Sequence, residues 1–320
     1  MKIMRFIGIV FALFSAGSPS DTSAQDSGKK YKVYMVSNSH LDTQWRWDVK
    51  ATIDDYLYNT AVQNLALLEK YPHYVFNFEG AVKYEWIKEY YPHLFERIRK
   101  FVADGRWNIS GASFEANDPN MPSSESFIRN ILLAQEFYKK EFGIKSKDMF
   151  LPDCFGFSQV MPTLGHHCGL IGFSTQKLSW RTEPLVGDSK TPFPIGLWEG
   201  VDGARIMVAL EPGRYSWNEF PEGDLSANEE LAESARKSPF GIAYRYYGNK
   251  LANGAGDHGG SALPRSIQLL EEGITNGKGP VQLVSATSSQ LYEDYMPYGN
   301  HPELPVFVGE MPLDVRSEEH

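Results

Sequence analysis

His40 and Asp42, one residue apart, are the first side chains in this 320-residue chain whose types and spacing could do chemistry. They stand in Ser39-His40-Leu41-Asp42-Thr43-Gln44-Trp45, just after an apolar run. In extended backbone alternate side chains point the same way, so the imidazole and the carboxylate can converge on one ion. Neutral imidazole with hard carboxylate oxygen suits zinc in a site that keeps a coordination position open. A surface ion pair has the same H-x-D spelling. Asp153 lies in Leu151-Pro152-Asp153-Cys154-Phe155-Gly156, between an apolar run and a glycine turn. It reads either as a carboxylate held at a sheet edge or as a turn aspartate. Asp257 is the one acid of Gly254-Ala255-Gly256-Asp257-His258-Gly259-Gly260. That loop lacks the Lys-Ser/Thr ending of a phosphate cradle, so its glycines read as letting backbone approach a ligand, with Asp257 presented to it. His258 reads as a flanking histidine rather than a ligand. Trp45 is either a platform for an apolar ligand face or a core tryptophan.

Placing these groups requires a scaffold, and the sequence patterns one. Short apolar, β-branched or aromatic runs predict strands over 33–37, 75–78, 107–110, 149–151, 171–174, 206–210 and 281–284. Helical periodicity predicts helices over 51–70, 84–90, 92–102, 125–141, 227–237 and 265–272. In the third, Pro92 takes a tolerated first-turn position; in the fourth, Ser124 is the expected cap and Gly143 the stop. The alternation argues a mainly parallel α/β domain, either a barrel or an open sheet. His40 and Asp42 then follow the first strand, Glu79 the second, Asp118 the third and Asp153 the fourth. In α/β barrels that is the end where catalytic groups collect. The stretch 179–194 reads as a long irregular loop, a length often associated with function.

Composition bounds the rest. With 31 basic and 40 acidic residues the net charge is −9, and no basic cluster offers a footing for nucleic acid. Lys2 and Arg5 precede an apolar run and then small residues through Ala24, the order of a secretory leader. The expectation is a signal peptide over 1–24, a mature domain over 25–320 and export to the periplasm or the exterior. The apolar run is too short to span a bilayer, so no membrane insertion is expected. Cys154 and Cys168 make no disulfide framework and are expected as free thiols. Asn108-Ile109-Ser110 spells a glycosylation sequon inside a predicted strand, and is read as fortuitous.

The ordered set of stretches resembles the class II α-mannosidases, glycoside hydrolase family 38, bacterial type. Besides the three units above, it includes Tyr84-Glu85-Trp86, Tyr91-Pro92, Gly105-Arg106-Trp107, Glu115 with Asp118 and Asn120, Glu125-Ser126 before Arg129, and Trp198-Glu199-Gly200 with Asp202-Gly203. The similarity runs over nearly all of 31–320. The resemblance implies a seven-stranded (β/α) barrel catalytic domain, followed in the family by helical and β-sandwich domains; on it the chain reads as the N-terminal portion of a larger enzyme. It implies one Zn2+ held by His40, Asp42 and Asp153, with Trp45 and Phe155 against the mannose of a glycan. Asp153 matches the nucleophile, and Asp257 lies where the family carries its acid/base; Asp118 and Glu199 are the fallback acids. The family's further histidine ligand has no counterpart in a His-His-Asp setting, and His166-His167 matches a different helix. Two competing readings are a zinc-dependent carbohydrate deacetylase and a non-catalytic mannose-binding fragment.

Overall fold

Residues 31–38, Tyr-Lys-Val-Tyr-Met-Val-Ser-Asn, are buried on both faces except at Lys32, the pattern of a central strand in a covered parallel sheet. The computed structural model describes residues 30–179, 191–248, 257–296 and 303–312. The leader, most of the loop 179–194 and the glycines at 254 and 256 lie outside the described residues. The first half runs β1 (Tyr31–Asn38), α1 (Val49–Ala51) leading through a π-helical turn (Thr52–Leu57) into α2 (Tyr58–Lys70), then β2 (Phe76–Glu79), α3 (Ala81–Tyr90), α4 (Pro92–Ala103), β3 (Trp107–Ser110) and α5 (Ser124–Phe142). The second runs β4 (Asp148–Phe150), α6 (Val160–His167), β5 (Gly172–Ser174), β6 (Ile195–Glu199), β7 (Arg205–Ala209), α7 (Glu229–Arg236), β8 (Ile242–Gly248), α8 (Pro264–Asn276), β9 (Val281–Ser285), α9 (Gln290–Tyr295) and β10 (Val306–Val308).

The strands form two five-stranded sheets. In the first, β8 pairs with β1 along its length, from Lys32↔Ile242 to Asn38↔Gly248. The other edge of β1 is shared: β9 pairs with Tyr31–Met35, and β2 takes over at Ser37 and Asn38, with β3 beyond it. In the second sheet the order is β10-β6-β7-β5-β4, parallel except for the β6–β7 pair. A closed seven-stranded barrel, expected above, is not what the described residues form. Among the described residues β3 and β4 face each other without a ladder, so the two sheets do not close. There Ala112 N–H donates to the Asp148 carbonyl at 2.9 Å and Gly111 N–H to Asp148 Oδ1 at 3.3 Å.

β1 separates two of the cores by its alternation. Tyr34 and Val36 join Phe150, Met207, Tyr244 and Tyr246 in the core shared by both sheets. Val33 and Met35 face outward onto Leu65, Leu68, Ile98 and Leu269 of the covering helices. A third core packs Ile131 and Met161 of α5 and α6 on the outer face of the second sheet.

The seven predicted strands are present within a residue or two, and the six predicted helices within about four. Pro162 and Gly165 hid α6, and Arg245 broke the apolar run of β8; β6, β10 and α9 are also additions. Ser123, not Ser124, caps α5, its hydroxyl accepting from Ser126 N–H, while Gly143 ends it with φ 75°. Asn108 donates to Asn77 Oδ1 at 2.8 Å and to Ser288 Oγ at 3.1 Å, so the sequon side chain is committed inside the fold. Both cysteines are free. No helix among the described residues is long and apolar enough to cross a membrane.

Candidate active site

The end of β1 builds the site. Leu41, 1% exposed, anchors into the core, and alternation then turns His40 and Asp42 the opposite way. The segment 257–259 is stitched antiparallel onto 40–42: Asp42 N–H donates to the Asp257 carbonyl at 2.8 Å and Gly259 N–H to the His40 carbonyl at 2.9 Å, around a Leu41↔His258 bridge. Asp257 therefore sits beside His40 although 217 positions separate them in sequence, in a left-handed conformation with φ 72° that aspartate tolerates better than most residues. Asp153 arrives from the other sheet, after β4 and the buried Leu151-Pro152.

His40 Nε2 lies 3.1 Å from Asp42 Oδ1 and 3.5 Å from Asp153 Oδ2. One ligand atom each from His40, Asp153 and Asp257 falls within 4.8 Å of the others. Both His40 nitrogens are buried, yet neither makes a well-directed hydrogen bond among the described residues. A buried imidazole nitrogen facing carboxylates without a hydrogen bond is the donor set a divalent cation satisfies. The residues fit a divalent cation such as zinc: the geometry groups His40, Asp153 and Asp257, whereas the expected set was His40, Asp42 and Asp153, with Asp42 Oδ1 3.1 Å from His40 Nε2.

Electrostatics separates the two remaining carboxylate roles. Burial resists the charge on Asp153, but His40 and then Lys177 more than offset it and hold this carboxyl well below the usual range. Lys177 pairs with Asp153 Oδ1, leaving Oδ2 toward His40. Burial pushes Asp257 up, helped by the charges of Asp153 and Asp42, although His40 and the Tyr215 hydroxyl, which donates to Asp257 Oδ1, pull the other way. Burial would lower the His40 pKa; Asp42, Asp153 and Glu79 instead raise it well above the ordinary histidine value. Two carboxyls with pKa values driven apart are what an acid and a nucleophile require.

The other expected residues are placed as follows. Phe155 carries the Lys177 ammonium 4.5 Å above its ring. Trp45 packs edge-on to Trp47 and under Arg46, on the loop that follows Asp42. His258 stacks on Trp47 at 5.5 Å and tilts against Tyr56, a packing role. Glu199 is engaged by Arg205 at 2.7 Å, and Asp118 accepts from Asn120 N–H. His167 pairs with Asp202 on the surface at 2.7 Å, and its ring stands edge-on to His166. Sequence reasoning missed Lys177 and Tyr215. Both follow strand ends, after β5 and β7, so the rule that found Asp153 could have found them.

Comparison with known proteins places the chain in a family. Residues 30–310 match the family model of the glycosyl hydrolases family 38 N-terminal domain. Alpha-mannosidase G of Dictyostelium discoideum is 31% identical over 289 residues, 90% of this chain and 25% of that protein. Alpha-mannosidase 2C1 of Homo sapiens is 30% identical over 290 residues, 90% of this chain and 26% of that protein. The crystal structure of an alpha-mannosidase from Enterococcus faecalis V583 shares the fold, with a TM-score of 0.68 at 22% identity over 88% of this chain and 31% of that one. The chain thus spans about a quarter of the length of these curated relatives. The chain belongs to glycoside hydrolase family 38, whose N-terminal domain it carries.

Proposed function

We propose that this domain carries the catalytic centre of a zinc-dependent retaining exo-α-mannosidase that removes terminal α-linked mannose from glycans. The observation that carries the reading is Asp153 and Asp257 brought together beside His40, with one carboxyl held ionised and the other pushed toward its protonated form. Carboxyls this close leave little room for the intervening water of an inverting enzyme and suit a retaining one.

Asp153 attacks the anomeric carbon through one oxygen while Asp257 gives its proton to the departing glycosidic oxygen. The C–O bond to the leaving sugar breaks and an ester to Asp153 forms. Asp257, now ionised, takes a proton from water; the water oxygen attacks the anomeric carbon, the ester breaks, and Asp257 is reprotonated. Tyr215 holds Asp257 in place and Lys177 orients Asp153. Zinc, when bound, would serve as a template that orients the sugar hydroxyls. Trp45 and Phe155 are the side chains proposed to meet the sugar face.

A deacetylase would leave the Asp153–Asp257 pairing without a covalent role, and membership of this family does not favour it. The test is mannose release from an aryl α-mannoside, with and without a chelator. Acetate release from an acetylated glycan, or binding with no turnover at all, would replace the proposal. Export with cleavage near Ala24 belongs to the same proposal, and N-terminal sequencing of the mature protein checks it.

A further inference from the structure

Behind His40, on the side away from Asp42 and Asp153, stand two buried charged groups that the reaction does not use. Glu79 is the last residue of β2 and is 4% exposed; its Oε1 lies 3.4 Å from His40 Nδ1. Lys83, one helical turn further on, is 0% exposed, with its ammonium 3.7 Å from the same Oε1 and 5.5 Å above the Phe78 ring. His40 Nδ1, Glu79 Oε1 and Lys83 Nζ are all buried without a hydrogen-bond partner among the described residues. The strand-to-helix corner is shaped to admit the lysine: Gly80 has φ 86°, and a Cβ there would stand 3.3 Å from Lys83 Cε. A buried pair of this kind adds little stability, because desolvating both charges offsets their attraction. Its position directly behind the imidazole gives it another use.

We infer that Glu79 is the positioning residue of the cation site: its carboxylate takes the His40 Nδ1–H and so aims the Nε2 lone pair at the space shared with Asp42 and Asp153, while Lys83 supplies the counter-charge. A carboxylate behind a ligating histidine fixes its tautomer and raises its basicity, and loss of such a partner typically weakens metal affinity 10–100-fold. The inference rests on the proposed zinc site and extends it to residues that touch neither ion nor sugar.

The test uses the whole 320-residue chain stripped of metal. Zinc affinity is measured by competition with a chromophoric chelator, and thermal stability without metal is recorded in parallel. Glu79→Gln keeps size and an acceptor oxygen but can no longer supply charge; it strands the buried Lys83 ammonium, so it is expected to lower the metal-free melting temperature as well as to bind zinc about 10–100-fold more weakly, and the double variant separates the two effects. Lys83→Met strands the Glu79 charge and is expected to destabilise the metal-free protein. The double variant Glu79→Gln/Lys83→Met should recover the melting temperature but not the zinc affinity. Wild-type-like affinity in Glu79→Gln or in the double variant, within about twofold, overturns the inference and leaves the zinc site standing. Absence of zinc binding by the wild type removes both.

Discussion

Asp153 and Asp257 face each other across one imidazole, yet their environments ask opposite things of them. Asp153, paired with Lys177 and beside His40, is held ionised as a nucleophile must be. Asp153→Asn preserves shape but cannot form the glycosyl ester, so turnover should fall by about a thousandfold or more while circular dichroism stays unchanged. Asp257 is pushed toward protonation by burial first and neighbouring charge second. Asp257→Asn should therefore depend on the leaving group. A natural glycan should lose roughly 10²–10⁴-fold, while an activated aryl mannoside, which needs little protonation, should lose much less and recover with azide. Equal large losses on both substrates with no azide rescue would move the acid/base role to another acid. Residue type and position singled out both carboxylates in the sequence but left Asp153 as either a sheet-edge carboxylate or a turn aspartate, and the proposed roles came from the family resemblance. What a sequence does not display is that 257–259 pairs with 40–42, since that contact is set by tertiary closure. Lys177 was missed because a lysine ordinarily reads as a solvated charge, although it follows β5 as Asp153 follows β4.

At the scale of elements, the seam between the sheets depends on Asp148, the first residue of β4. Its Oδ1 accepts from Gly111 N–H and from Ser146 Oγ at 3.2 Å, while Oδ2 is buried without a partner among the described residues. Burial raises its pKa to about 6, with the hydrogen bonds opposing. The folded state thus keeps a proton that the unfolded chain gives up near pH 4. Asp148's favourable contribution is full below that pH and is lost as pH rises through about 6, a loss of roughly 3 kcal/mol by linkage. Asp148→Asn keeps the Oδ1 acceptor and removes the titration. Denaturant unfolding at pH 4.5 and 7.5 should show the variant gaining on the wild type at the higher pH; the same difference at both values would dismiss the account. Strands such as that predicted over 206–210, Ile-Met-Val-Ala-Leu, were legible because apolar residues cluster there. The open seam was not, nor was how β1 divides its edge between β2 and β9: both are matters of register, and local pattern carries no register between distant segments.

Across the whole molecule, the candidate ligand side chains come from both sheets. His40 and Asp42 extend from the first sheet, Asp153 from the second, and Asp257 from the segment leading into α8. An ion held by all of them would be a cross-link between the two sheets on the side where Ala112 and Asp148 make a single backbone hydrogen bond. Because the unfolded chain presents no such set of ligands, binding must stabilise the fold by mass action, about 2.7 kcal/mol at a hundredfold excess over the dissociation constant. For a chain of this size that corresponds to a rise in melting temperature on the order of 5 °C. The rise should vanish with chelator and should be absent in His40→Ala and Asp42→Ala. It should persist in His167→Ala, whose imidazole is spent on Asp202 at the surface. Scanning calorimetry of the four proteins with zinc and with chelator decides it: an undiminished zinc-dependent rise in His40→Ala would place the stabilising ion elsewhere, and the two sheets would have to be held together by their shared core and the hydrogen bonds at Asp148.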